Sequence, residues 1–220
     1  MVGLEQPLSW ELIKTIIFDL GKVIIPFDFQ RAYQRIAPVC AYSPAQIPER
    51  LRGTNLVNRF ECGAIEPEPF FEQFSQILEL NVGFDEFQEI WGSIFLPETL
   101  VPASLIAALR ERYRMLVLSN TNVIHFELVR QKYPIIGLFH DHVLSYRVGA
   151  MKPDAAIYEE AVRRAECAPA ECFFTDDIPA YVEGARAHGI DAVQFQNAEQ
   201  IESELRSRGV QWEEFKAGLA

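Results

Sequence analysis

Hydrophobic and polar positions alternate between two textures along this chain. Short, near-continuous apolar runs at Thr15 to Phe18, Met115 to Leu118, Cys172 to Thr175 and Asp191 to Phe195, with a briefer one around His142 to Ser145, predict strands whose two faces are both covered. Between them, apolar residues recur at helical spacing. Leu105, Ile106 and Leu109 face inward from a helix near Pro102 to Tyr113, and a second helix is predicted from about Val123 to Lys132. Ile157, Ala161 and Val162 mark a third, for which Pro153 suits the first turn and Ala168-Pro169 the end, near Cys167. Ala180 to His188 is helical with Gly189 as its stop, and Glu199 to Arg208 is a charged surface helix. Strand and helix in alternation predict an α/β fold with a parallel sheet, helices on both faces and right-handed crossovers.

The alternation breaks once. After Val23 the chain reaches Pro26, which ends regular pairing, and from Arg31 to Phe95 only helix-period segments follow, punctuated by Ser43-Pro44 and Gly53-Thr54. Glu66 to Pro69 opens a helix that puts Phe70, Phe71, Phe74, Ile77 and Leu78 on one face, a stripe read as core packing. The predicted organisation is a core of residues 1–28 and 98–220 with a helical insert at 29–97.

Composition narrows the setting. A chain of 220 residues can bury roughly 70–75% of its unfolded surface without staples. With 49% hydrophobic and 23% charged residues it is an ordinary globular sequence, and no apolar run nears the roughly 20 residues that span a bilayer. A net charge of −11 and no basic stripe argue against nucleic acid as a partner. Met1 to Lys14 lacks the basic start and long apolar core of a signal peptide. Cys40, Cys62, Cys167 and Cys172 show no CxxC or metal spacing and read as small buried residues in a reducing compartment. The expected location is the cytoplasm.

Candidate chemistry sits at the strand ends. The first strand runs into Asp19, the second into Ser119-Asn120-Thr121-Asn122, and that at Cys172 to Thr175 into Asp176 and Asp177. A parallel sheet lines these ends along one edge, where open α/β folds bind ligands. Carboxylates gathered there need a cation to remain ionised, and an all-oxygen set suits Mg²⁺. Lys152 could then hold a phosphoryl group whose other oxygens meet Ser119 and Asn120.

This ordered set resembles the haloacid dehalogenase superfamily of aspartyl-phosphate hydrolases. Its four motifs are matched by Phe18-Asp19-Leu20-Gly21, Leu118-Ser119-Asn120-Thr121, the lysine of Met151-Lys152-Pro153, and Phe174-Thr175-Asp176-Asp177. The insert looks like the four-helix cap of the family's first subfamily, and Phe60-Glu61-Cys62-Gly63-Ala64-Ile65 is similar to a stretch common in such caps. The resemblance implies a Rossmann-like core, Mg²⁺, and a cap closing over small phosphorylated metabolites. It also implies that Asp19 is the nucleophile, with Ser119, Asn120 and Lys152 as catalytic and substrate-binding groups. Asp19, Gly21 through its carbonyl, Asp177 and Asp176 would serve the metal, Asp176 bonded to Lys152 or to a metal-bound water.

One position departs from the usual phosphatase pattern. A second aspartate two residues after the nucleophile normally protonates the leaving group, a contribution of about 10² to 10⁴ in rate, and here that position is Gly21. A subgroup with Asp-Leu-Gly-Asn/Gly-Val, similar to sugar-phosphate phosphatases, shares the glycine. Even against that subgroup Lys22 replaces Asn or Gly, and Tyr181 stands where Asn is frequent. The leading expectation is a Mg²⁺-dependent phosphatase of a small sugar phosphate. Two others are a catalytically silent binder of a phospho-ligand or protein, and a 2-haloacid dehalogenase, which the Asp176-Asp177 pair argues against. Lys22, Arg31, Arg59 and His125 are candidate substrate contacts.

Overall fold

The computed structural model describes residues 13–213, so the expectation for Met1 to Lys14 lies almost wholly outside the described residues. Strand β1, Thr15–Phe18, is buried at every position, as an apolar run covered on both sides must be. The chain then passes through helices α1 (Phe29–Ile36), α2 (Gln46–Leu51), α3 (Leu56–Glu61), α4 (Pro67–Leu78) and α5 (Phe84–Trp91), with no strand among them. Helix α6 (Ala103–Arg110) leads to β2 (Arg114–Ser119), α7 (Val123–Lys132), β3 (Asp141–Leu144), the single turn α8 (Ser145–Val148) and α9 (Ala155–Ala165). Strand β4 (Cys172–Asp176), α10 (Pro179–Ala187), β5 (Asp191–Gln194) and α11 (Ala198–Ser207) complete the order.

All strand pairings are parallel, in the order β3-β2-β1-β4-β5. The chain therefore builds outward from β1 in one direction through β2 and β3, and in the other through β4 and β5. That reversal opens a crevice at the carboxyl end of β1, the place where doubly wound sheets bind their ligands. Alternate side chains feed two cores. Ile16, Phe18, Met115, Val117, Phe173 and Val193 pack with α6, α7 and α11, whereas Ile17, Leu116, Leu118, Phe174 and Ala192 pack with α9 and α10. A third core belongs to the inserted helices, built on Phe60, Phe70, Phe74, Phe87 and Trp91, with Phe60 and Phe70 stacked at 4.1 Å between ring centroids. The aromatic stripe is thus packing, as its spacing predicts, with Phe71 and Ile77 at its partly buried margin.

Two expectations need correction. Pro153 is not in the first turn of α9: the Lys152–Pro153 peptide is cis, the turn continues to Asp154, and the helix starts at Ala155. The Asn120 side chain grips the Lys152 backbone from both sides, accepting from its N–H at 2.8 Å and donating to its carbonyl at 3.0 Å, and so fixes this turn against the end of β2. Of the cysteines only Cys172 is buried; Cys40, Cys62 and Cys167 are half-buried, and all are free thiols. No helix among the described residues is long and apolar enough to cross a membrane.

Candidate active site

The strand ends do converge. Asp19 follows β1, its backbone N–H still donating to the Thr175 carbonyl at 2.9 Å, so the carboxylate is carried by the sheet rather than by a free loop. Asp176 closes β4 beside it, Asp177 follows, and one carboxylate oxygen from each of the three lies within 4.8 Å of the others. Lys152 enters from the turn before α9. Its Nζ donates to Asp19 Oδ1 at 2.7 Å, to Asp176 Oδ2 at 2.5 Å and to the Leu118 carbonyl at 3.1 Å, with every side chain of the triad at least nine-tenths buried.

Burial at this density has electrostatic consequences. Desolvation, opposed by Lys152 and reinforced by Asp176, pushes Asp19 up to about 7. For Lys152 burial works against the charge, but Asp19 and Asp176 prevail and hold its pKa above the ordinary lysine value. Asp177, half-buried, is raised by desolvation and by Asp176, with Lys22 pulling the other way. Lys152 bonds two of the three carboxylates, and Lys22 acts on the third only through its field. The donors are all oxygen and the carboxylates outnumber the ammonium buried among them, which fits a hard divalent cation such as Mg²⁺.

A cavity of about 230 Å³ opens over this cluster. Asp19, Gly21, Lys22, Ser119, Asn120, Lys152 and Asp177 line it, while Asp176 lies beneath, its Oδ1 accepting from the Ile178 N–H at 2.8 Å. Asn120 also donates to the Tyr181 hydroxyl at 3.3 Å, so Tyr181 closes one wall. Lys22 has φ +57°, the left-handed region that Asn and Gly enter most easily, which explains why those residues are usual there. Its ammonium sits 5.2 Å from the centre of the Phe27 ring. Gly21 leaves no room for a side chain, because an added Cβ would stand 2.5 Å from that same ring.

Of the other candidate contacts, His125 lines the cavity, but its ring is committed to Asn122 and to the Trp91 carbonyl, each at 3.1 Å. Burial lowers its pKa to about 4, so it is neutral and cannot act as a phosphate cation near pH 7. Arg31 and Arg59 are outside the cavity lining and bond to the Ser93 carbonyl and to Gln73. The inserted helices supply Phe29, Glu61 and Ile94 to the roof, none of which sequence reasoning placed at the site. The signal for Glu61 was present: a carboxylate directly after the buried Phe60, two residues before Gly63.

The family model of the haloacid dehalogenase-like hydrolases matches residues 13–189, from just before β1 to just past α10. This chain belongs to the haloacid dehalogenase-like hydrolases. Among relatives in that family, a D-ribitol-5-phosphate phosphatase of Bacteroides thetaiotaomicron is 24% identical over 200 residues, covering 88% of this chain and 97% of the relative. A haloacid dehalogenase family enzyme from the same organism, solved as a magnesium complex, superposes with a TM-score of 0.77 at 27% identity, covering 88% and 98% of the two chains. A wild-type structure of that enzyme with magnesium and inorganic phosphate gives a TM-score of 0.73 at 26% identity, over 84% and 95%. The parallel sheet with helices on both faces is the haloacid dehalogenase fold.

Proposed function

We propose that this chain is a Mg²⁺-dependent phosphatase of small phosphorylated metabolites of the sugar-phosphate type, working through an aspartyl-phosphate on Asp19. The observation that carries the reading is Asp19 itself, held by Lys152 at the floor of a cavity that Asp177 also lines. The names of the relatives, one a polyol-phosphate phosphatase and one an enzyme bound to magnesium and phosphate, support the same class.

In this reading an Asp19 oxygen attacks phosphorus, splitting one difficult displacement into two easier ones. Lys152 fixes the carboxylate through Oδ1 and sets positive charge where phosphoryl oxygens gather. Ser119 and Asn120 stand at the same wall, and the Asn120 side chain keeps Lys152 in place through its backbone. Asp19, Asp177, the carbonyl of Gly21 and, from below, Asp176 are the groups that would hold Mg²⁺. When bound, that ion supplies the charge that offsets the carboxylates and the phosphoryl oxygens. In this reading Lys22, which lines the cavity, also meets the substrate. Residues 29–97 act as a cap over a core of 1–28 and 98–220, a division supported by the separate aromatic core of the inserted helices. A cytoplasmic setting goes with this reading.

The test is phosphate release from a panel of sugar and polyol phosphates by wild type and Asp19→Asn, each with Mg²⁺ and with a chelator. Turnover confined to wild type with Mg²⁺ is expected. A wild type silent on the whole panel, beside an active control enzyme of the family, refutes the reading; phosphate binding without turnover would favour a silent binder.

A further inference from the structure

Gly21 leaves the leaving group without the usual proton donor, and the Phe27 ring fills the volume where a side chain at that position would stand. An acid must therefore come from elsewhere around the cavity. Asp19 and Asp177 are committed to the nucleophilic and metal roles, Lys152 is locked between carboxylates, and His125 spends both ring nitrogens on its neighbours. Lys22 is assigned above to the substrate, and the Tyr181 hydroxyl is held at the wall by Asn120. Among the carboxyls that line the cavity, Glu61 alone has no role yet. It is the last residue of α3, lines the same cavity from the opposite side, and makes no hydrogen bond or ion pair among the described residues.

Its placement is built into the fold. Phe60, immediately before it, is anchored in the aromatic core by stacking on Phe70. Gly63, two residues beyond the end of α3, has φ +66° and lies against the Tyr146 backbone so closely that an added Cβ would overlap the Tyr146 carbonyl. Only glycine permits this approach of α3 to α8, and the approach brings Glu61 over the catalytic floor.

We propose that Glu61, reaching down from the helical insert, is the general acid and base of the reaction, replacing the carboxylate missing at position 21; the inference rests on the phosphatase reading above. As an Asp19 oxygen bonds to phosphorus, the bond from phosphorus to the ester oxygen breaks, its electron pair goes to that oxygen, and the oxygen takes the proton of the Glu61 carboxyl. In the second step the Glu61 carboxylate accepts a proton from water as the water oxygen bonds to phosphorus. The bond to Asp19 then breaks, releasing phosphate and restoring both residues. Burial raises Glu61 to about 7, which suits a group that must give a proton in one step and take one in the next. Asp19, Lys22, Lys152 and Asp177 share the cavity with it, Arg147 stands on α8, and Glu68 and Glu72 stand on α4. None of these contributes to the shift, whose cause is desolvation alone.

The decisive comparison is the rate of phospho-enzyme formation in single turnovers with Mg²⁺, for wild type, Glu61→Gln and Glu61→Asp. The substrates are a pentitol 5-phosphate, whose alkoxide needs a proton, and p-nitrophenyl phosphate, whose phenolate does not. Glu61→Gln is expected to lose about 10² to 10⁴ on the pentitol ester and less than about threefold on the aryl ester, which also shows that the variant is folded. Glu61→Asp should recover part of the loss, and the basic limb of the pH profile, where the acid loses its proton, should vanish in Glu61→Gln while the acidic limb that belongs to Asp19 stays. Equal loss on both esters, or a rise in KM with kcat unchanged, would make Glu61 a binding residue and overturn the proposal. If wild type forms no phospho-enzyme from either ester, or Asp19→Asn still does, the phosphatase reading itself fails; Glu61 failing alone leaves it intact.

Discussion

Replacing Lys152 by Met removes the one cation from the buried cluster and keeps most of the side-chain volume. The ammonium has three partners, at 2.5, 2.7 and 3.1 Å, and two of them are carboxylates whose side chains are 0% and 9% exposed. Breaking a buried pair from one side strands the other charge and costs about 3–5 kcal/mol. Asp19 can soften that cost by taking a proton, which gives the prediction its pH dependence. Its folded pKa, about 7, already lies above the ordinary aspartate value of 3.8, and loss of the lysine raises it further. A group whose folded pKa is raised binds more protons folded than unfolded, so stability falls as pH climbs from about 4 through the folded pKa. Urea denaturation in chelator should therefore show Lys152→Met less stable than wild type at pH 8 by about 3–5 kcal/mol, and by clearly less at pH 5.5. In thermal melts the pH 8 loss corresponds to roughly 6–20 °C for a chain of this size. A deficit below about 1 kcal/mol at pH 8, or one equal at both pH values, would refute the account of Lys152 as the counter-charge of Asp19 and Asp176.

Two further predictions bear on the same cavity. Gly21→Asp, which restores the usual acid in sequence, should neither raise turnover nor be tolerated freely: Phe27 must move, a misfit costing about 1–3 kcal/mol, and a variant that melts like wild type with faster turnover would contradict the packing described. His125, lowered to about 4 by burial, should show no titration in NMR between pH 5.5 and 8, and its contribution to stability should be lost only as pH falls below the unfolded histidine value near 6.5. A midpoint near 6.5 for its ring would show that the nitrogens are not held by Asn122 and Trp91.

What could be read before folding was whatever the backbone enforces locally. Thr15 to Phe18 and Cys172 to Thr175 are buried on both faces, so their composition alone marks them as central strands, and the carboxylates that end them meet because parallel pairing puts Phe18 opposite Thr175. Val123 to Lys132 was legible for a related reason: Asn122 caps it, accepting from the His125 N–H at 3.0 Å. Pro153 was misread because the rule for proline in a first helical turn is local, while its actual turn is fixed by Asn120, more than thirty residues away. Glu61 marks the same boundary in function. Its chemistry comes from burial over a site built by other strands, and burial of that kind is a property of how α3 meets α8. The departure at Gly21 was visible in the chain, but its meaning depends on Phe27 filling the gap and on a carboxyl facing the cavity from above. A missing residue in a motif is therefore weak grounds for a silent enzyme until the groups across the cavity have been counted. Here that count returns one carboxyl, that of Glu61, outside the nucleophilic and metal roles.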